Sequence, residues 1–156
     1  MWRLSGIERD IYLYSTPKQY IADYQVTSTL DKETYTDGLF ALETTIGGEA
    51  EGAATLSYRL EDACGKTILE KDCPVQSKES GNFIFFEKET LPKVKRWSAE
   101  HPYLYTLIIS LKDTSGEIIH LTGCNVGFRT SEIKDGRFCI NGVPILVKGC
   151  LLYTSP

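Results

Sequence analysis

What this 156-residue sequence has little of narrows its class before any motif is read. No apolar run approaches the roughly 18 residues of a membrane-spanning helix, so no helical anchor is expected within it. Met1 to Tyr14 lacks a charged start, a continuous apolar segment and a small-residue cleavage site, the three parts of a secretory signal. Lys and Arg number 17 against 21 Asp and Glu. The one dense basic run, Lys93, Lys95 and Arg96, has no interleaved aromatics on which bases could stack, and a nucleic-acid partner is not expected. Histidines number 2: His101 in a Glu-His-Pro turn and His120 in an extended run, each isolated from any Ser or Cys nucleophile and read as a satisfied surface or edge residue. No phosphate loop, dinucleotide fingerprint, nucleophile elbow or zinc-protease helix is present. The 5 cysteines, at 64, 73, 124, 139 and 150, form no Cys-x-x-Cys pair and have no His at zinc spacing. Cys64 and Cys73 are separated by an extended stretch rising about 3.3 Å per residue and lie beyond disulfide reach. Buried free thiols are expected, with a lean toward a reducing cytoplasm.

What is present is a period of two. Tyr20, Ala22, Tyr24 and Val26 oppose Asp23, Gln25 and Thr27; Phe40, Leu42 and Ile46 oppose Glu43 and Thr45; Leu56, Tyr58 and Leu60 oppose Ser57, Arg59 and Glu61. The beat returns at Tyr103 to Leu111 and at Cys124, Val126 and Phe128, which is the signature of half-buried strands. Phe83 to Phe86 is continuously apolar, consistent with a strand covered on both faces. Turn signals punctuate these runs at Asp37-Gly38, Gly47-Gly48, Cys64-Gly65, Ser80-Gly81 and Ser115-Gly116. No window carries a helical period, and Pro92 interrupts the one polar stretch, Glu87 to Arg96, that could attempt it. With 42% hydrophobic and 24% charged residues and a net charge of −4, a chain this long can bury about two thirds of its unfolded surface without staples. The expected fold is all-β: an immunoglobulin-like antiparallel β-sandwich of about seven to eight strands, with a barrel as the alternative.

The ends differ from the middle. Residues 1–16 contain one strand-like run, Ile11 to Tyr14, before Pro17, and read as part of an upstream unit. The sandwich is expected over 17–131. Asp135-Gly136 and Asn141-Gly142 bracket Arg137 to Ile140, so 132–149 reads as a connector hairpin pointing downstream, and 150–156 is an atypical tail. Acid-base chemistry by paired carboxylates needs two groups a few ångströms apart, and alternation places most acids on solvated faces. The most distinctive segment is Trp97 to Leu107, where Pro102 sets the entry to a strand and Tyr103 and Tyr105 share a face. A sandwich corner, in which an aromatic polar tip caps buried backbone, accounts for it.

Four stretches, WRLSGIERDIYLYSTP from Trp2, WSAEHPYLYTL from Trp97, VGFR from Val126 and INGVPILVKG from Ile140, together resemble the central immunoglobulin-like domain of bacterial β-galactosidases of glycoside hydrolase family 2. The resemblance implies retaining hydrolysis of terminal β-galactosides by two glutamates of a (β/α)8 barrel, with magnesium and sodium near that site. It makes residues 1–16 the remnant of a sugar-binding jelly roll and 132–149 the lead into the barrel. The catalytic glutamates fall downstream of the VKG motif, so the chain alone is expected to be inactive, to carry no cofactor itself, and to meet a β-galactoside only through its parent. Its partners are then the neighbouring domains. The residues matched as structural or interdomain are Trp2, Arg3, Gly6, Arg9, Asp10, Trp97, Glu100, Pro102, Tyr105, Gly127, Phe128, Arg129, Asn141 and Gly142; of these Arg3, Arg9, Asp10 and Arg129 read as interdomain ion-pair or hydrogen-bond residues, or else as plain surface charge. Two departures stand out. Glu8 occupies a position where the family favours an aromatic, and Cys150 to Pro156 replaces its usual Asn-Arg-His-Glu-His, as a truncated or frame-shifted gene would. β-Glucuronidase or β-mannosidase parentage is a variant of this reading. A free-standing module binding carbohydrate or protein through exposed Trp2, Tyr12 or Trp97 is the alternative.

Overall fold

The computed structural model of the chain describes residues 6–7, 9–48, 53–75 and 83–146. Trp2, Arg3, Glu8, the Ser80-Gly81 turn, Cys150 and the 150–156 tail lie outside the described residues. Among the described residues ten strands follow in chain order: β1 (Gln19–Leu30), β2 (Gly38–Gly48), β3 (Ala53–Glu61), β4 (Thr67–Pro74), β5 (Phe83–Leu91), β6 (Tyr105–Asp113), β7 (Ile118–Val126), β8 (Ser131–Lys134), β9 (Arg137–Ile140) and β10 (Val143–Pro144). A three-stranded sheet, β1-β2-β5, faces a four-stranded sheet, β4-β3-β6-β7, and a small third sheet, β10-β9-β8, follows. All strand pairs are antiparallel. Seven strands in two packed sheets are the immunoglobulin-like sandwich that the period of two predicts.

The core is the set of inward positions from both sheets. Phe40, Leu42 and Ile46 of β2 meet Leu56, Tyr58 and Leu60 of β3 and Tyr105, Leu107, Ile109 and Leu111 of β6, all 4% exposed or less. The rings of Phe40 and Tyr58 stack across the sandwich at 6.3 Å. Burying one such side chain contributes on the order of 1.5–3 kcal/mol.

Several expectations need correcting. A register shift between Ile21 and Asp23 interrupts the alternation of β1, so Ile21 is in the core while Ala22 is exposed and Tyr20 only half-buried. A bulge adds one residue and swaps the faces on either side of it. Ile11 to Tyr14 forms no strand; it has no pairing partner and its four side chains are exposed. β5 is not covered on both faces, because Phe86 is 56% exposed. Most acids are expected on solvated faces, and Glu87 and Glu89 are exceptions to that, sharing the half-buried side of β5 with Phe85 and Leu91. Cys64, Cys73, Cys124 and Cys139 are free thiols, yet only Cys139 is buried and Cys64 lies exposed in a turn.

Side chains close both open seams of the sandwich. Between β4 and β5, Lys71 forms ion pairs with Glu87 and Glu89, and the Cys73 thiol lies 3.7 Å from Glu87. Between β1 and β7, His120 Nδ1 accepts the Ile21 N–H at 3.3 Å and the Tyr24 hydroxyl donates to the Gly123 carbonyl at 3.1 Å. His120 is thus a satisfied edge histidine. Edge strands left bare are templates for aggregation, and these contacts cover them.

Three hairpins are organised by an aspartate at their start. Asp31 accepts the backbone N–H groups of Glu33, Thr34, Tyr35, Thr36 and Asp37 at 2.6–3.3 Å. Asp62 accepts those of Cys64 and Lys66, and Asp113 those of Ser115 and Glu117. The Thr34 and Asp37 amides hold the Asp31 carboxyl far below the ordinary aspartate value of 3.8. The Lys66 and Cys64 amides lower that of Asp62, and the Ser115 hydroxyl lowers that of Asp113. A carboxyl whose folded pKa is depressed stabilises the fold above its unfolded pKa and loses that contribution as pH falls toward the folded one. The urea midpoint is therefore expected to hold steady from pH 7 to about 5 and to fall below pH 4. Asp31→Asn should lower the midpoint at pH 7 and lessen the acid fall; an identical fall in the variant would contradict this role.

Candidate functional site

The chain leaves the sandwich through a corner built from the end of β7, the residues before β6, and the small sheet. Phe128 is fully buried with its ring edge-on to Tyr105 at 5.4 Å. Its carbonyl accepts the Trp97 N–H at 2.9 Å, and Trp97 also pairs with Pro102 across the turn. Below this, the Tyr105 hydroxyl accepts the Lys95 N–H at 2.8 Å and the Tyr103 hydroxyl accepts the Ala63 N–H at 3.1 Å. Aromatic tips capping backbone are what the Trp97 to Leu107 segment predicts, and burial pushes the Tyr105 phenol up.

Asn141, 8% exposed, is the hub. Its Nδ2 donates to the Trp97 carbonyl at 2.9 Å and its Oδ1 accepts the Thr130 N–H at 3.0 Å. Its own N–H donates to the Thr130 carbonyl at 2.9 Å. Thr130 carries the network into β1: its hydroxyl accepts the Leu30 N–H at 2.9 Å and donates to the Leu30 carbonyl at 3.2 Å. Asn141 sits at φ +52°, a left-handed conformation that Asn tolerates better than most residues. The next residue must be Gly. Gly142 has φ +77°, and a Cβ there would lie 2.6 Å from the Tyr35 ring. Tyr35, presented by the Asp31-organised loop, donates its hydroxyl to Glu132 of β8. That bond pushes the phenol pKa up to about 12.

Ser28 and Arg129 complete the outer wall. The Ser28 hydroxyl donates to the Gly127 carbonyl at 2.9 Å, and the Arg129 guanidinium lies over the Trp97 ring at 4.7 Å. Gly127 packs against the base of the same indole, where a Cβ would come within 3.1 Å. A polar groove of about 570 Å3 runs along this wall, lined in part by Thr27, Ser28, Trp97, Leu104, Arg129 and Ser131. It has hydroxyls and one cation but neither an acid-base pair nor a nucleophile with its base. Among the described residues no three of His, Cys, Asp and Glu converge to hold an ion.

The structure thus gathers Trp97, Pro102, Tyr105, Gly127, Phe128, Arg129, Asn141 and Gly142 into one corner. Glu100 stands on the adjoining exposed turn, its carboxyl held down by its own backbone N–H and by Ser98. Gly6, Arg9 and Asp10 are exposed, and Asp10 accepts the nearby Tyr12 hydroxyl. Trp2 and Arg3 are outside the described residues. Sequence reasoning missed Thr130, Leu30, Tyr35 and Glu132. Thr130 directly follows the VGFR stretch and was within reach, whereas nothing local marks Tyr35 as a partner of residues about a hundred positions away.

Residues 19–129 match the model of the glycosyl hydrolases family 2, more than two thirds of the chain. The chain belongs to that family. A β-galactosidase of Priestia megaterium is 40% identical over 151 residues, covering 95% of this chain and 14% of that protein. The β-galactosidase large subunit of Lactobacillus acidophilus is 33% identical, covering 96% of this chain and 23% of that protein. The family 2 chain therefore spans between about a seventh and a quarter of these curated relatives. Among solved structures, a family 2 glycosyl hydrolase of Bacteroides cellulosilyticus superposes with a TM-score of 0.76 at 19% identity, over 86% of this chain and 19% of that one. A Parabacteroides merdae β-glucuronidase superposes with a TM-score of 0.72 at 24% identity, over 85% and 16%. These two likenesses establish the sandwich fold.

Asn141→Ala strips buried partners from the Thr130 amide and the Trp97 carbonyl, and each orphaned group costs about 1–3 kcal/mol. The expected result is a urea midpoint lowered accordingly, with faster amide exchange at Thr130. Gly142→Ala, strained by φ and by Tyr35, should destabilise in the same direction; midpoints unchanged in both variants would contradict the hub.

Proposed function

We propose that this chain is the noncatalytic sandwich of a β-galactosidase-like glycoside hydrolase, a spacer that holds a sugar-binding domain and a catalytic domain at fixed distance and angle. The sandwich is assigned to 17–131. Residues 1–16 are the end of an upstream jelly roll and 132–149 the connector into a (β/α)8 barrel. One observation carries the reading: Asn141 and Thr130 tie the terminal sheet to both Trp97 and β1, so whatever follows that sheet inherits the orientation of the sandwich. Glycosidic bond cleavage depends on groups held within fractions of an ångström, and a rigid scaffold supplies that.

On this reading Trp2, Arg3, Gly6, Arg9 and Asp10 contact the upstream domain, and Arg129 with Glu100 borders a neighbour. Magnesium, sodium and the two glutamates reside elsewhere in the parent, which hydrolyses terminal β-galactosides with retention. Of the three aromatics on which the binding-module alternative rests, Trp97 is covered by Arg129 and packed on Gly127, Tyr12 is exposed and Trp2 lies outside the described residues.

The purified chain is expected to release nothing above buffer from a nitrophenyl β-galactoside. A saturable rate that one Asp or Glu substitution abolishes would overturn the spacer reading. Placed in the Priestia megaterium β-galactosidase in exchange for the matching segment, the chain should support turnover. Asn141→Ala in that hybrid should cut kcat by about tenfold or more, as misplacement of reacting groups does.

A further inference from the structure

β9 and β10 are joined by Asn141 and Gly142 alone, since Ile140 pairs with Val143. Both residues lie at positive φ, +52° and +77°, the type I′ turn for which Asn-Gly is a preferred sequence. The same dipeptide carries a reactivity that the corner does not use. An asparagine amide can be attacked by the backbone nitrogen that follows it, and a glycine there leaves that nitrogen unshielded because it has no Cβ. Asn82 precedes Phe83 and Asn125 precedes Val126, so the other two asparagines each have a bulky neighbour at that position. In the folded chain the Asn141 side chain is held at both polar atoms: Nδ2 donates to the Trp97 carbonyl at 2.9 Å and Oδ1 accepts the Thr130 N–H at 3.0 Å. Gly142 meanwhile backs onto the Tyr35 ring. Bringing Cγ onto the Gly142 nitrogen turns the side chain about its Cα–Cβ bond and breaks both hydrogen bonds at once, leaving the Thr130 amide and the Trp97 carbonyl without them.

We propose that Asn141 is a site of spontaneous deamidation gated by the corner: silent while Thr130 and Trp97 hold its amide, reactive when the small sheet lifts away, and irreversible afterwards. In the open state the Gly142 nitrogen attacks Asn141 Cγ. An N–Cγ bond forms and the Cγ–Nδ2 bond breaks; the Gly142 proton passes to solvent, and Nδ2 leaves as ammonia with a proton from water. Water then adds across one of the two C–N bonds of the cyclic imide and gives aspartate or isoaspartate. One water is consumed, one ammonia is released, and nothing is oxidised or reduced. Neither product rebuilds the hub. An ionised aspartate only accepts, so the Trp97 carbonyl meets a carboxylate where its donor stood. Isoaspartate adds a methylene to the backbone of a two-residue turn that already lies against Tyr35. A transient opening of the corner is thereby written into the chain as a lasting change of charge or backbone. This proposal stands independently of the spacer reading.

The test incubates the 156-residue chain at mildly alkaline pH in heavy-oxygen water, with and without denaturing guanidinium chloride, and maps its peptides by mass spectrometry. In the denatured chain Asn141 should convert ahead of Asn82 and Asn125 and yield both aspartate and isoaspartate. In the folded chain it should convert at least about tenfold more slowly, in proportion to the time the corner spends open. Thr130→Val removes the hydroxyl bonds to Leu30 and leaves the Asn-Gly pair intact; it should raise the folded rate several-fold and leave the denatured rate unchanged. Converted chain, and the variant Asn141→Asp, should refold with a lowered denaturant midpoint. Equal rates in the folded and denatured chain, or a folded rate that Thr130→Val does not move, overturn the gate. An Asn141 that stays inert in the denatured chain, or a product without isoaspartate, overturns the site. Converted chain with the native midpoint overturns the irreversibility. If Thr130→Val does not fold, the comparison of the unsubstituted chain in the two solvents decides by itself.

Discussion

The corner where the chain leaves the sandwich has to bury the backbone of Phe128, Thr130 and Asn141, and every buried N–H and C=O there requires a partner. Backbone supplies two of them, the Trp97 N–H to the Phe128 carbonyl and the Asn141 N–H to the Thr130 carbonyl. Side chains add the rest: Asn141 serves Trp97 and Thr130, Thr130 serves Leu30, and Tyr105 serves Lys95. Because these donors and acceptors come from β1, the segment before β6 and the loop after β9, satisfying the backbone at one point fixes three parts of the fold to one another. Removing the hub would leave several polar groups stranded at once, which makes the corner cooperative rather than a sum of weak contacts.

Much of the architecture was legible because both sheets bury one face, and a period of two follows directly from that. β2, β3 and β6 kept their expected phases for this reason. The failures have physical causes as well. A bulge after Ile21 is invisible to periodicity because it inserts a residue without changing composition. Alternation places most acids in solvent, but a half-buried strand edge accepts carboxylates such as Glu87 and Glu89 when a lysine such as Lys71 stands opposite. Glycines marked the hairpins, whereas the aspartates that organise them went unnoticed, although an Asp opening a turn is a known way to satisfy loop amides. At the corner, Asn141 and Gly142 were picked out by resemblance, but their work depends on Tyr35 and Trp97, which only the folded chain brings near.

Membership of family 2 and the geometry of the corner bear on different questions. The family relates the chain to the glycosyl hydrolases; on the proposed spacer reading, the corner is what would let it hold its neighbours in a fixed orientation. Packing the Trp97 indole between a guanidinium and a glycine backbone commits an aromatic to mechanical work. The Asp31 loop does likewise, since its carboxylate orders five amides in order to present Tyr35 at the connector.

The contacts that close β1 onto the far end of the chain span 99 and 100 residues: Ile21 to His120, Ser28 to Gly127, Leu30 to Thr130. During synthesis, which proceeds from the N-terminus at about 5–20 residues per second, β1 waits several seconds before these partners exist. Until then its edge is open, and loop-closure entropy opposes the long-range pairing. A ribosome-bound chain would thus hold an unsealed sheet until Thr130 emerges, and sealing would come as a single late event.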